Sequence, residues 1–178
     1  MARANIRLSY DRESNYIGAN VRGAEYQMNV TEYDRILVIT ADGTYRIMAP
    51  PDRMWLPGPV LYCAVFDPDK GVTATFVYRD AEKTAWAKKV HIAKFITDKV
   101  YPLCREGSLG IVYLTDARKP GILRLLFTPK KGMKLRDLDV DLSKVPPCGL
   151  PARGTHLAPK PVDKVELLPE KEKPAKGK

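Results

Sequence analysis

A strand–turn–strand pattern that recurs along the chain is the feature that most limits its possible folds. In each copy an apolar run rich in β-branched and aromatic residues is broken by a turn and then resumes, as in Asp34–Arg46, 73–92 and 110–127. Alignment on the apolar residue that follows a cation makes Arg46, Lys89 and Arg124 equivalent. Hairpin units repeated about every 40 residues are typical of propeller blades. Such a repeat predicts a row of positive charge that suits a long polyanion.

Turn and strand chemistry predicts an all-β chain. The segment Ala41-Asp42-Gly43 favours a tight turn in which Gly43 takes a positive φ. In the following strand Tyr45 and Ile47 face one way, and Arg46 and Met48 the other. One helical turn is predicted at 95–98. Strands are predicted at 5–10, 16–21, 35–40, 44–48, 60–66, 72–78, 84–92, 99–103, 109–114 and 121–127, with shorter ones within 133–142 and 153–167.

The charge is strongly positive, and most of it lies in the body of the chain. The formal net charge is +9, of which +7 lies before residue 158. A basic folded body favours nucleic acid or an anionic surface as the partner. Residues 1–168 are expected to form one domain, whereas 169–178 (PEKEKPAKGK) lack the apolar residues needed to offset ordering entropy and are predicted to be disordered.

The compartment is inferred from the cysteines and from hydropathy. Cys63, Cys104 and Cys148 are odd in number and far apart, and Cys63 in the run VLYCAVF is expected to be a buried free thiol. The first residues lack the apolar core of a signal peptide, and no run approaches the roughly 20 apolar residues of a membrane span. We expect a soluble, cytoplasmic protein.

Enzymatic chemistry finds little support in the residue pattern. The carboxylate clusters Asp67/Asp69 and Asp137/Asp139/Asp141 are the candidates for a metal site, and a solvated strand edge is the preferred interpretation of the second. His91 and His156 are isolated from other metal ligands and from a nucleophile. Neither a P-loop nor a dinucleotide-binding glycine pattern is present. The expectation is a non-enzyme with no cofactor and no metal.

The residues of the first strand–turn–strand unit carry a resemblance to a known family. The pattern formed by Asp34, Ile36, Leu37, Thr40, Gly43 and Arg46 resembles the blade repeat of the C-terminal domain of bacterial DNA gyrase and topoisomerase IV A subunits. Residues 85–103 are similar to a topoisomerase IV stretch with a basic pair before an Ile, filled here by Lys88 and Lys89. The stretches 5–18 and 141–157 also resemble that domain, so the resemblance spans about residues 5–168.

The resemblance implies a fold and a role. Its members form a β-pinwheel, a propeller-like disc of four-stranded blades that exchange strands with their neighbours. Duplex DNA bends around the basic rim, and the domain presents that DNA to the catalytic core of the A subunit, and through it to the B subunit, without chemistry of its own. The expected partners are therefore duplex DNA and that core, in the nucleoid and not at a membrane.

The chain departs from the family pattern in two informative ways. It is short for a six-bladed gyrase disc, which favours a few blades in an open or incomplete ring. The basic, Gly-rich box of gyrase is replaced by 148–154, which contains a single cation, Arg153. Both departures favour the role of topoisomerase IV. The alternatives kept open are a domain that has lost DNA binding and acts as a protein-interaction surface, and an RNA-binding β-domain.

The predicted DNA contacts are cations that meet the phosphate backbone without reading bases. Lys88 and Lys89 are adjacent in a strand and must point to opposite faces, and the other pairs lie in turns that project from a rim. Trp55 and Trp86 are expected to be packing residues. The candidate set is Arg46, Lys88, Lys89, Lys94, Arg118, Lys119, Arg124, Lys130, Lys131 and Arg153.

Overall fold

A computed structural model describes residues 6–116, 118–150 and 152–168, and these residues form an all-β protein with one 3-10 turn, at Leu142–Lys144. The predicted disordered tail, 169–178, lies outside the described residues. Fifteen strands are formed: β1 (Ile6–Asp11), β2 (Tyr16–Gly18), β3 (Glu25–Val30), β4 (Ile36–Thr40), β5 (Thr44–Met48), β6 (Met54–Trp55), β7 (Val60–Val65), β8 (Val72–Arg79), β9 (Ala85–Ile92), β10 (Val100–Pro102), β11 (Gly110–Thr115), β12 (Ile122–Phe127), β13 (Asp137–Asp141), β14 (Thr155–His156) and β15 (Val162–Leu167).

The strands form four antiparallel sheets, which we call blades 1 to 4. The strand orders are β3-β1-β2-β6, β10-β5-β4-β7, β11-β8-β9-β14 and β13-β12-β15. Each blade is built on a hairpin of two consecutive strands: β1–β2, β4–β5, β8–β9 and β12–β13. The first strand of each hairpin also pairs with a later strand of its own blade: β3, β7, β11 and β15.

Three short strands are exchanged between neighbouring blades. β6 follows the hairpin of blade 2 along the chain but pairs with β2 of blade 1. In the same way β10 returns from blade 3 to β5 of blade 2, and β14 returns from blade 4 to β9 of blade 3. In the part of the chain that the structure describes, no strand occupies the corresponding edge of β13. The exchanged, blade-like sheets confirm the predicted pinwheel architecture.

The hydrophobic core is divided among the interfaces between blades. Because side chains alternate along a strand, each inner blade gives one face to each neighbour. Tyr45 and Ile47 of blade 2 pack with Phe76 and Tyr78 of blade 3, whereas Met48 faces blade 1. Val77 and the small residues of β9 pack against the apolar side chains of β12. Full burial of such side chains contributes roughly 1.5–3 kcal/mol each, so each blade depends on its neighbour.

The arc of blades is open. Three buried clusters join blades 1–2, 2–3 and 3–4, and none of the clusters formed by the described residues joins blade 4 to blade 1. The register explains why, since Arg124, Asp139 and Glu166 are paired neighbours on the face of blade 4 that points away from blade 3. A polar face of this kind is solvated and cannot form an apolar contact with blade 1. The predicted open ring is thereby confirmed.

The first two predicted hairpins are confirmed in detail. Gly43 has φ +92°, and its backbone N–H donates to the Thr40 carbonyl at 3.1 Å, which closes the turn between β4 and β5. Tyr45 and Ile47 lie on one face of β5 and Met48 on the other. These features were predictable because they depend on residues only a few positions apart.

The third predicted hairpin is wrong. β11 pairs with β8 of blade 3, whereas β12 pairs with β13 and β15 of blade 4. Arg124 therefore lies on the first strand of its blade, while Arg46 and Lys89 lie on second strands. A Gly/Pro connection between two apolar runs cannot distinguish a hairpin from a step between sheets. The strands β3 and β6 were also missed, and 95–98 contains a plain turn without a helix.

Burial confirms the prediction for Cys63. Its side chain is buried between blades 1 and 2, and all three cysteines are free thiols. Burial raises the pKa of Cys63 to about 12, so the thiol stays protonated. Among the described residues, no helix is long and apolar enough to cross a membrane.

Candidate nucleic-acid interface

The strand cations do not form the row that the repeat predicted. Arg46 faces blade 1, and its guanidinium lies 3.3 Å from the sulfur of Met54 on the exchanged strand β6. Arg124 lies on the outward face of blade 4, where its Nε donates to Asp139 at 2.8 Å. The two side chains therefore belong to separate surfaces at opposite ends of the arc.

Lys88 is buried, which corrects its prediction as a phosphate contact. Its side chain is 1% exposed, and its Nζ donates to the carbonyls of Leu103 at 2.8 Å and Leu150 at 2.6 Å. Loss of hydration on burial lowers the pKa of Lys88. The ammonium ties the loop after β10 and the loop before β14 to blade 3, and it is unavailable to a ligand. The prediction that Lys88 and Lys89 point to opposite faces is confirmed, because Lys89 faces blade 4.

The turn cations lie at the surface. The β-turn after β12 is closed by a hydrogen bond from the Met133 N–H to the Lys130 carbonyl at 3.2 Å, and Lys130 and Lys131 are both exposed. Lys94, Arg118 and Lys119 are also exposed, in the connections that follow β9 and β11. Of these residues, only Arg118 is brought beside a strand cation, since it lines the same cleft as Lys89.

A second set of recurring cations emerges at the exchanged strands. Arg53 directly precedes β6, Lys99 directly precedes β10, and Arg153 comes two residues before β14. All three side chains are exposed. We call them the exchange-strand cations. Only Arg153 was predicted from the sequence.

Each exchange-strand cation lies over an aromatic ring, which belongs to the receiving blade for Arg53 and Arg153 and to the exchanged strand β10 itself for Lys99. The distance from the cationic centre to the ring centroid is 4.3 Å for Arg53 on Tyr16 and 5.1 Å for Lys99 on Tyr101. Arg153 lies 5.0 Å from the ring of Trp86. Cation–π contacts at exposed sites contribute about 0.5–1 kcal/mol. The rings hold the charges in place while leaving them accessible to solvent.

Paired rings also fix the exchanged strands themselves. Tyr16 is the cross-strand partner of Trp55, and Trp86 is the partner of His156, with ring centroids 5.0 Å apart in the second pair. In blade 2, the partners Tyr45 and Tyr101 stack with centroids 5.0 Å apart and an interplanar angle of 14°. Cross-strand aromatic pairs stabilise a sheet beyond the area that they bury. They give these very short strands a defined register.

The exchanged strands lie on the outer side of the arc. Two of the three neighbouring pairs of blades approach each other at one edge, where β3 of blade 1 contacts β7 of blade 2 and β11 of blade 3 contacts β15 of blade 4. β6, β10 and β14 are at the opposite edge of their sheets. Trp55, at 57% exposure, belongs to this outer edge, so its prediction as a packing residue is wrong, whereas Trp86 does pack against the core between blades 2 and 3. The exchange-strand cations thus follow one perimeter over three successive blades.

Acidic groups modulate this perimeter at blade 3. Asp80 accepts a hydrogen bond from the indole N–H of Trp86 at 3.1 Å, beside Arg153. Burial acts to raise the pKa of Asp80, but the hydrogen bonds from Trp86 and the backbone, together with the charge of Arg153, lower it on balance. The carboxylate is therefore ionised near neutral pH and weakens the positive field of Arg153.

The sequence does contain a signal for these positions. A basic residue precedes an aromatic one by two positions in Arg53-Met-Trp55 and Lys99-Val-Tyr101, and by three in Arg153-Gly-Thr-His156. The pattern is short and the strands are two or three residues long, so it becomes visible only when the exchange topology is known. Within the described residues, no three His, Cys, Asp or Glu side chains converge as metal ligands.

Comparison with known proteins identifies the family. No curated protein matches the chain. The model of one protein family, the topoisomerase C-terminal domain of the Bacteroidota, matches residues 7–169, which include almost all of the strands described above. Since that model covers nearly all of the exchanged-strand blades, this chain belongs to the family of topoisomerase C-terminal domains.

Proposed function

We propose that this domain binds duplex DNA through its phosphate backbone, without reading sequence, and bends it along the outer side of the arc. The observation that carries the proposal is the repetition of an exposed, ring-supported cation at the start of each exchanged strand. Cations that recur from blade to blade along one edge would suit the regularly placed phosphates of a bent duplex. The formal net charge of the chain, +9, adds a long-range attraction to the negatively charged duplex.

Phosphate contacts must supply more free energy than bending of the duplex costs. Bending a segment of 20–30 base pairs costs on the order of 1–6 kcal/mol, which the phosphate contacts must offset. If about six phosphates are neutralised, the logarithm of the binding constant falls with the logarithm of salt concentration with a slope of about −5. The exchange-strand cations would supply about half of these contacts, and the exposed turn cations the remainder.

Sequence-neutral binding agrees with the secondary structure. Base readout in the major groove is made by an α-helix or a two-stranded ribbon that fits the groove. The described residues contain no α-helix, and their hairpins pack face to face between blades, so the candidate cations border sheet edges and turns. Backbone contact is the mode of binding that such an edge supports.

Within the holoenzyme, the domain would act as a non-catalytic accessory in the cytoplasm, at the nucleoid. A topoisomerase C-terminal domain works together with a topoisomerase core. We place it on the A subunit of a topoisomerase IV-like enzyme, where it would pass a bent DNA segment to the core and, through it, to the B subunit. The polar outward face of blade 4, with Asp139 and Glu166, would end the DNA path and limit the wrap.

The experiment measures duplex affinity across a salt series. A fluorescein-labelled linear duplex is titrated with the wild type, with Arg53→Gln/Lys99→Gln/Arg153→Gln, and with Lys164→Gln, whose side chain is exposed on the outward face of blade 4. We expect the triple variant to lose about 2.7 from the magnitude of the salt slope, at about 0.9 per phosphate. Lys164→Gln should keep the wild-type slope.

Ligase-mediated closure of short DNA fragments then measures bending, which the wild type should promote. An unchanged slope in the triple variant would contradict the proposed track. The alternatives give different results: a folded wild type that binds no duplex at low salt would indicate a protein-interaction surface. Tighter binding of single-stranded RNA than of duplex DNA would indicate an RNA-binding β-domain.

A further inference from the structure

A cleft of about 360 Å³ opens between blades 3 and 4. On the side of blade 3 it is lined by Thr73, Thr75 and Lys89. Arg118, in the connection between the two blades, and Ser143, in the 3-10 turn, line the opposite side. Two cations, three hydroxyl groups and the carboxylate of Asp116 thus line one cleft that is open to solvent on one side.

The cleft exists because blade 4 covers only part of its neighbour. On the face of β8 and β9 that points to blade 4, Val77 and Ala87 are cross-strand partners and pack into the core between the two blades. The next partners along the same face are Thr75 and Lys89, and these line the cleft. Blade 4 does not pack directly on this polar part of the face. Thr75 is nevertheless only 3% exposed, so the floor of the cleft is sheltered from solvent.

The charges in the cleft are unbalanced in favour of cations. Neither the Lys89 ammonium nor the Arg118 guanidinium has a hydrogen-bonded or ion-paired partner among the described residues. Asp116 is the carboxylate that lines the cleft, and burial together with the Asp116 charge raises the pKa of Tyr62. The Thr73 hydroxyl is engaged with Nδ1 of His91 at 2.8 Å.

We propose that this cleft is a binding site for one phosphate group. Lysine supplies a point charge with three N–H donors, and arginine supplies a planar fork that matches two phosphate oxygens. Charge-assisted hydrogen bonds of this type are roughly twice as strong as neutral ones. The sheltered position beside Thr75 lowers the local dielectric around Lys89 and strengthens its contact with a phosphate, whereas Arg118 reaches the phosphate from the exposed side.

The source of the phosphate rests on the proposed function. A duplex that follows the exchange-strand cations across blades 1 to 3 reaches the junction of blades 3 and 4 as the last position before the polar outward face of blade 4. The cleft would take a backbone phosphate at that junction and anchor the end of the bent segment.

The first experiment tests the cleft without DNA. Inorganic phosphate is titrated into the 15N-labelled chain at constant ionic strength, and backbone amide shifts are followed by NMR. We expect saturable shifts at Thr75, Lys89 and Ser143 that are absent in Lys89→Gln/Arg118→Gln. The control variant Lys130→Gln/Lys131→Gln should keep them. Shifts spread evenly over all surface cations, or retained in Lys89→Gln/Arg118→Gln, would overturn the site.

The second experiment tests the source of the phosphate. With the labelled duplex, Lys89→Gln/Arg118→Gln should reduce the magnitude of the salt slope by about 1.8, at about 0.9 for each cation. A wild-type slope in this variant would remove the cleft from the DNA path. If the wild type itself binds no duplex, the proposed function fails, and the phosphate titration still decides whether the cleft is a phosphate site.

Discussion

The guanidinium carbon of Arg53 lies 4.3 Å from the centre of the Tyr16 ring, which joins the start of an exchanged strand to the hairpin of the blade that receives it. The same link to the receiving blade returns with Arg153 and Trp86, whereas Lys99 lies over Tyr101 of its own exchanged strand. In the two arginine contacts, one interaction therefore serves two purposes, since it fixes a short strand and presents a charge.

The Arg53–Tyr16 contact should be measurable as a coupling energy. In a double-mutant cycle with Arg53→Gln and Tyr16→Leu, we expect a coupling of about 0.5–1 kcal/mol in the free energy of unfolding, the value for an exposed cation–π pair. Urea denaturation of the four proteins measures it. Arg7 is the control, because it lies on β1 opposite Asn29 and the described residues show no cation–π contact between it and Tyr16. Arg7→Gln and Tyr16→Leu should be additive, and additivity at Arg53 would show that the ring does not hold the cation.

Lys88 should matter for stability and not for affinity. Lys88→Met keeps the length of the side chain but leaves the Leu103 and Leu150 carbonyls without their donor. An unsatisfied buried acceptor costs about 1–3 kcal/mol, which urea denaturation will measure. The matched variant Lys89→Met should lose less than about 0.5 kcal/mol, as surface substitutions do. A loss of DNA affinity in folded Lys88→Met that exceeds that of Lys89→Met would contradict the structural role.

Gly154 is required where the chain enters exchanged strand β14. Its φ is +96°, and a Cβ there would lie 2.4 Å from the Ala87 carbonyl oxygen, a backbone atom that cannot give way. We expect Gly154→Ala to destabilise the domain by at least about 2 kcal/mol, through steric overlap and backbone strain together.

Gly132→Ala is the control for this substitution. Gly132 also has a positive φ, +78°, but a Cβ at this position meets no atom within 4 Å. It should therefore show the backbone strain alone, about 1 kcal/mol. Equal losses of thermal stability in the two variants would argue against a close approach at β14.

Arg124 should contribute little to DNA binding. Its guanidinium is paired with Asp139 on the polar outward face of blade 4. Arg124→Gln should therefore leave the salt slope of duplex binding unchanged, whereas Arg153→Gln should lower its magnitude by about 0.9. Anisotropy titrations across a salt series compare the two variants. A decrease for Arg124→Gln as large as that for Arg153→Gln would restore the row of strand cations predicted from the repeat.

Cys63 should make stability depend on alkaline pH. The pKa of Cys63 is about 12 in the folded state, against 9.0 for a solvated thiol as in the unfolded chain. The unfolded chain therefore loses this proton first as the pH rises. The stabilisation is fully present below pH 9 and is lost as the pH rises toward 12, by about 1.4 kcal/mol per pH unit. Urea denaturation midpoints measured below and above pH 9 should decline less in Cys63→Val than in the wild type. Parallel declines would show that the thiol is not buried.

The sequence predicted the parts of the fold that depend on neighbours along the chain. The β4–β5 hairpin with Gly43 and the alternation of Tyr45 and Arg46 follow from turn chemistry and the two-residue period of a strand. Exchanged strands such as β6 are set by distant partners, and two residues carry no periodicity. This is also why β11 and β12 were joined in one hairpin although they belong to different blades.

The candidate site was predicted by residue type and only partly by position. Lys89, Arg118 and Arg153 lie where phosphate could reach them, but Lys88 is equally basic and is buried. Residue type alone cannot distinguish the two, since the outcome depends on which face of β9 meets another blade. Arg53 and Lys99 were missed because their significance comes from a topology that the hairpin repeat does not reveal.

Strand exchange also determines how such an arc can gain or lose material. Each of blades 1 to 3 is completed by residues that come after the hairpin of the following blade, so a cut between two hairpins removes a strand from the sheet before it. A truncated chain would expose a fresh row of unpaired backbone groups and would risk aggregation. Within the described residues blade 4 ends with such an edge, and β13 carries Asp137, Asp139 and Asp141 there. A shortened domain would keep a protected edge only if an inner blade were deleted and the complete blade 4, with its acidic strand β13, were joined to the blade before the deletion.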